Sequence, residues 1–216
     1  MFQVYPGLVS NIAALSGSGG GGGGGLDGSE SDGTTILNAG EANFTSGWSN
    51  LNGSLTANTA AGADGTTTAA DFLENTNNSR HGTYATPTIG GGSTRTYSVY
   101  AKSITRRYMQ MFIANNGGTA AAIYIYFDLQ SGSVTDSAIL INSGVTTLGT
   151  PTIEAGANGY WKCTAPGVKV NATDNTPYWQ LMCSDVATYG APLSSNSPSF
   201  TGNTSNGLRL WRPKVT

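Results

Sequence analysis

Three tyrosines and one aspartate have the types and spacing to do chemistry. Tyr124, Tyr126 and Asp128 recur at every second position of the segment AAIYIYFDL (residues 121–129). Tyr100 holds a comparable polar position in TYSVYAKSI (residues 96–104). Sugars lay their apolar C–H faces on aromatic rings while Asn, Asp, Gln or Arg bond the hydroxyls. Tyr100, Tyr124, Tyr126 and Asp128 therefore form a candidate glycan-binding platform on the polar faces of their strands. The competing reading is that outward tyrosines are ordinary β-formers covering a sheet.

Other reactive residue types do not assemble into a recognisable active site. His81, the sole histidine, lies in SRHGTY (residues 79–84), which reads as a solvated polar loop. A Ser-His-Asp arrangement would need that histidine as its base. A catalytic zinc normally takes three protein ligands, and one histidine with Cys163 and Cys183 offers no such spacing. Glycoside hydrolysis needs two carboxylates flanking a cleft; Glu41, Glu74 and Glu154 sit in no recognisable box. The glycine run at residues 19–25 is followed by no Lys-Ser/Thr, so it is not a phosphate loop. The expectation is a non-enzymatic protein without cofactor. The two cysteines read as buried, unbridged thiols. If their segments form a hairpin about residues 174–175, Cys163 lies about three residues beyond the position opposite Cys183, outside disulfide geometry.

Charge narrows the partners further. Ten Lys and Arg against twelve Asp and Glu give a net charge of −2. A protein that binds nucleic acid by neutralising phosphates carries a basic patch, and Arg106-Arg107 alone is too short to be one. No apolar run approaches the roughly 18–20 residues of a membrane span. The N-terminus lacks the basic region of a secretory signal, which points to synthesis in a cytoplasm. No nucleic acid and no membrane insertion are expected.

These residues need a scaffold, and the composition restricts it. Only 10% of the chain is charged, against about 25% on average, and 31 of 216 residues are glycine. That excludes coiled coils and helical bundles, while 38% hydrophobic and 9% aromatic residues suffice for a core. Residues 1–15 form a short apolar arm, in which Phe2, Val4, Tyr5, Leu8, Val9, Ile12 and Leu15 are costly to leave in water. Residues 16–35 are a Gly/Ser-rich linker, because glycine loses most conformational entropy on ordering. Residues 36–216 carry period-2 segments at 96–104, 107–115, 121–129, 137–142, 150–155, 159–165, 177–184 and 207–215, separated by turn clusters such as NNGG, QSGS and GANG. The spacing predicts an antiparallel sandwich of about eight strands. Ile123, Ile125, Phe127 and Leu129 should face its core. One helical turn fits within residues 64–76.

Several motifs in order carry a family resemblance: NFTSGW (43–48), DGTTTA (64–69), YSVYAK (97–102), YFDLQSGSV (126–134), GYWKC (159–163) and GLRLW (207–211). Together they resemble the carbohydrate-binding-module-like jelly-roll domain found in structural proteins of tailed phages and prophages, over roughly residues 36–215. The resemblance implies an all-β jelly-roll sandwich and a virion setting, with the protein made in the host cytoplasm. Asp64-Gly65 and Gly132-Ser133 read independently as turns, and Trp161, Cys163 and Trp211 as core or core-edge residues. Related jelly rolls often hold a structural calcium. Glu41 is the weak candidate ligand here, but Arg212, Pro213 and Lys214 stand where the family has a small residue, Gln and an acid. The best reading is a capsid decoration or head-fibre protein. Its arm would dock on other virion proteins or on sister chains, a homotrimer being suitable, and its jelly roll would be displayed toward host-surface glycans. A receptor-binding tail fibre or baseplate protein serving host adhesion, and a carbohydrate-binding module of a secreted enzyme system, are the alternatives.

Overall fold

The computed structural model describes residue 37 and residues 41–90, 92–115, 122–140, 147–169, 176–188 and 199–216. The arm with its anchoring residues Phe2, Val4, Tyr5, Leu8, Val9, Ile12 and Leu15, and the linker at 16–35, lie outside the described residues.

The chain runs through β1 (Trp48–Leu51), β2 (Gly53–Ala60), β3 (Ala69–Glu74), β4 (Asn78–Ser79), β5 (Gly82–Ala85), β6 (Thr94–Ser103) and β7 (Tyr108–Ala114). It continues through β8 (Ala122–Asp128), β9 (Ser133–Leu140), β10 (Thr152–Ala155), β11 (Trp161–Lys169), β12 (Tyr178–Ser184), β13 (Phe200–Thr201) and β14 (Gly207–Val215). Short 3-10 turns occupy Glu41–Asn43 and Ala157–Gly159. The first sheet has the order β1-β5-β12-β7-β8-β9, the second β10-β11-β6-β14-β3-β2, and β13 pairs with β4 in a small ribbon. Neighbouring strands are antiparallel throughout. The protein is an all-β sandwich.

Alternation explains how the sheets meet. Met109, Met111 and Ile113 of β7, Ile123, Ile125 and Phe127 of β8, and Trp179, Leu181 and Cys183 of β12 point inward from the first sheet. Tyr97, Val99, Ala101, Cys163, Ala165, Leu208 and Leu210 meet them from the second. The Tyr97 and Trp179 rings cross the interface edge to face, 5.4 Å apart. Ile123, Ile125, Phe127 and Leu129 all lie in this core, as the periodicity requires.

Four expectations change. The sandwich has more strands than about eight, because β1 to β5 and β13 are short or polar and lack a clear apolar rhythm. No helical turn lies within 64–76: Asp64 accepts from the Thr66 amide and hydroxyl at 2.9 and 2.7 Å, closing a turn, and β3 follows. Strand pairing wins there because Ala69, Ala70 and Phe72 are buried. β11 and β12 do not form a hairpin; they belong to different sheets, and residues 170–175 between them lie outside the described residues. Cys163 and Cys183 are both free and buried, and burial pushes both thiols up in pKa. Finally, His81 is fully buried rather than solvated.

The departure after Trp211 has a structural consequence. The β14–β6 register shifts between Trp211 and Lys214, and Arg212 adopts φ +44°. Pro213 lacks an amide to donate, and a bulge is where a sheet tolerates it. The bulge carries the Arg212 guanidinium over the Trp211 ring, 4.5 Å from its centroid, and to 3.5 Å from Asp64 Oδ2.

Candidate binding groove on the outer face of the first sheet

Register brings the outward side chains of the first sheet into rows. One row reads Ser49, Tyr84, Gln180, Phe112, Tyr124 and Ala138 across β1, β5, β12, β7, β8 and β9. The next reads Leu51, Gly82, Met182, Gln110, Tyr126 and Asp136. On the other side of the first row, Tyr178 stands opposite Ala114.

The second row is covered. After β12 the chain folds back, with Ser184 Oγ donating to the Val186 carbonyl at 2.7 Å. Thr135 Oγ1, on β9, donates to the Ala187 carbonyl. Because β7 and β8 separate β12 from β9, this strap crosses both. Beneath it Met182 and Tyr126 are inaccessible, and Gln110 Nε2 donates to the Tyr126 hydroxyl at 2.8 Å.

Beside the strap the first row stays open. A groove of about 330 Å³ is lined by Arg80, Tyr84, Phe112, Asn115, Tyr178 and Gln180, with Leu51 and Ala114 at its margins. That volume lies at the small end for ligand sites. Tyr84 and Tyr178 are half-buried and meet edge to face, 5.6 Å apart. Phe112 forms the apolar floor. Arg80 is held at the rim by its backbone, whose carbonyl accepts from Asn52 Nδ2 at 3.0 Å. Gln180 is 7% exposed, yet its Oε1 meets no donor among the described residues. Leaving a buried acceptor unmade costs about 1–3 kcal/mol, and a ligand donor that reaches Oε1 as the Gln180 side chain turns toward the groove recovers that loss.

Of the four residues expected to make the platform, Tyr124 and Tyr126 meet edge to face at 5.9 Å, but the four do not form one exposed surface. Tyr100 is on the outer face of the second sheet, on the opposite side of the sandwich, packed edge to face on Trp211 at 5.0 Å. Tyr124 shares a row with the groove but is 6% exposed and clustered with Phe112, Ala122 and Tyr126. Tyr126 is not outward-exposed at all, for the reason given by the strap. Asp128 is buried in a bidentate pair with Arg107, closest at 2.7 Å, and accepts from the Gln130 amide and the Ser131 hydroxyl at 2.9 and 2.8 Å. The Arg107 guanidinium, with those local donors, holds its carboxyl well below the usual carboxylate range. Asp128 shapes the β8–β9 turn instead of reaching a ligand.

Residues outside the expected platform line the groove. Tyr178 and Gln180 alternate with the core residues Trp179 and Leu181 in PYWQLMCS. The polar phase of that strand, opposite to the core phase of Trp179 and Leu181, is the signal in the sequence that points to them. Arg80 and Tyr84 carry no such signal, because Arg80 lies between β4 and β5 and β5 is short.

The remaining reactive groups are occupied structurally. His81 is fully buried with both ring nitrogens against backbone carbonyls, Nδ1 2.6 Å from that of Asn52 and Nε2 3.2 Å from that of Phe200. Arg106 and Arg107 are split between two carboxylates, Glu74 and Asp128. Glu41, the calcium candidate, begins the 3-10 turn that packs on β14. No group of three or more His, Cys, Asp or Glu side chains converges among the described residues, and Asp64 faces the Arg212 cation. No helix among the described residues is long and apolar enough to cross a membrane. No protein-family model matches the chain, and no curated protein is significantly similar to it.

Proposed function

We propose that the chain is a non-enzymatic display protein of a phage-type virion, a capsid decoration or head-fibre protein whose sandwich binds glycans in the groove beside β12. The observation that carries glycan binding is the pairing of the Tyr84 and Tyr178 rings with the orphaned Gln180 Oε1. Stacking surface and an unmet acceptor within one small groove suit a sugar ring better than a purely apolar ligand. The virion setting rests on the motif resemblance, and with it comes a jelly-roll topology. Consecutive strands exchange sheets at β1/β2, β5/β6, β6/β7, β9/β10 and β11/β12, which supports that reading. The apolar arm supplies the anchor to other virion proteins.

Two measurements test this. Glycan-array binding by the full chain should fall at least tenfold in Tyr178→Ala, a loss of about 1.4 kcal/mol, with melting temperature nearly unchanged. Immunogold labelling of purified particles should decorate the head. Absence from particles refutes the virion setting; array binding indifferent to Tyr178 refutes the groove.

A further inference from the structure

Resting on the glycan reading of the groove, we infer that its ligand is an acidic saccharide, a sugar bearing a carboxylate that pairs with Arg80 while a neighbouring hydroxyl or N-acetyl amide donates to Gln180 Oε1. The charge inventory carries this. Arg106, Arg107, Arg209 and Arg212 each face a carboxylate of the protein. Arg80, among the described residues, faces none, although its backbone is fixed by Asn52; Arg95 on β6 faces none either but does not line the groove. Its neighbours around the groove are uncharged: Leu51, Tyr84, Phe112, Ala114, Asn115, Tyr178 and Gln180. A lone guanidinium beside aromatic walls and an unmet amide oxygen presents a cation, a stacking surface and an acceptor to one small molecule. A neutral sugar would meet only the last two. A guanidinium recognises carboxylates with two parallel donors, and such charge-assisted bonds are stronger than neutral ones. Sulfated sugars share the anionic chemistry, and the guanidinium fork takes two of their oxygens as readily, so the sulfates enter the test as the competing source of the anion.

The test uses the full chain and matched sugars. The methyl glycosides of glucuronic and galacturonic acid, and N-acetylneuraminic acid, are titrated by isothermal calorimetry and saturation-transfer NMR. The comparison sugars are methyl glucoside, methyl galactoside, the methyl ester of N-acetylneuraminic acid, and the 6-sulfates of glucose and galactose. At least one acidic sugar should bind roughly ten- to hundredfold more tightly than its neutral partner. That advantage should shrink with added salt and vanish in Arg80→Gln, whereas Tyr178→Ala should weaken both members. Equal binding of acidic and neutral sugars, or an advantage that survives Arg80→Gln, overturns the inference and leaves the glycan reading intact. Preference for the sulfates overturns the carboxylate. Binding of no sugar in the set overturns the inference and counts against the glycan reading too, to be separated by the array. Circular dichroism of each variant excludes misfolding as the cause.

Discussion

The outer faces of the two sheets are built from the same strand geometry but satisfy their polar groups differently. On the second sheet, charges meet laterally: Glu154 stands opposite Lys162, and Asp71 opposite Arg209 with bonds of 2.6 and 2.9 Å. Around them Thr96, Ser98, Thr152 and Thr164 are short and polar. Such a face has settled its own electrostatics across neighbouring strands. On the first sheet the outward residues are Tyr84, Gln180, Phe112 and Tyr124, with one amide oxygen unmet. Part of that face is sealed by the strap after β12 and part is open. A sheet face whose groups answer one another is a surface, whereas one that leaves an acceptor and a cation unanswered within a groove is a candidate site.

The largest expected effects test whether the sealed part of the first face is truly interior. Phe127→Ala removes a core ring and should cost roughly 3–5 kcal/mol. Tyr126 points the other way yet is equally inaccessible, so Tyr126→Ala should cost a similar amount. Tyr126→Phe, which loses the bond from Gln110, should cost about 1 kcal/mol. Tyr84→Ala, in the open part, should cost clearly less than Tyr126→Ala. Urea melts of the four variants measure this. If Tyr126→Ala matched Tyr84→Ala, the strap would not seal the face.

A second test links the two sheets. Gly132 turns β8 into β9 with φ +68°, and a Cβ there would run into the six-membered ring of Trp161 from β11. Trp161 Nε1 also donates to the Leu129 carbonyl at 2.8 Å. Gly132→Ala combines backbone strain with overlap and should cost about 2 kcal/mol. A thermal melt equal to wild type would show that the turn can move off Trp161.

Much of this architecture is legible in the residues. The alternation of 121–129 assigns Ile123, Ile125 and Phe127 to the core, because period-2 patterning and burial are the same physics in a strand. What alternation cannot reveal is what lies over the other face. Tyr126 looks outward by its phase, yet it is inaccessible where the strap from about 60 residues later reaches Thr135 on the neighbouring strand. For the same reason Asp128 looks like a ligand residue until Arg107 closes on it. Arg80 follows the two-residue strand β4 and lies outside any strand, where no alternation exists to be read. Local sequence specifies the phase of a strand; long-range topology decides which faces remain exposed.

A smaller effect appears with pH. Asp128 is held ionised by Arg107, so its folded pKa lies below the unfolded value near 4. Its contribution to stability is fully present above pH 4 and is lost as pH falls through the folded value. Wild type should therefore lose melting temperature more steeply below pH 4 than Asp128→Asn, which starts lower at neutral pH. Parallel curves between pH 2 and 5 would remove Asp128 from the acid response. The effect is modest because 49% of the Arg107 side chain is in solvent, where the pair is screened.

The smallest expected effect comes from the second face. Arg209 and Asp71 form a bidentate pair across β14 and β3, with side chains 29% and 18% exposed. The pair raises the Arg209 pKa, the hydrogen bond to Asp71 outweighing the opposing loss of hydration. Partly exposed pairs of this kind are worth about 0.2–1 kcal/mol, because the Coulomb gain is screened and two side chains lose freedom. A double-mutant cycle through Arg209→Gln and Asp71→Asn should thus give a coupling of about 0.5 kcal/mol, shrinking with added salt. The same cycle should leave acidic-sugar binding unchanged, since the pair lies on the opposite side of the sandwich from Arg80. A coupling several times larger would mean that this face carries stability of its own. Loss of sugar binding in either single variant would mean that the two outer faces are not independent.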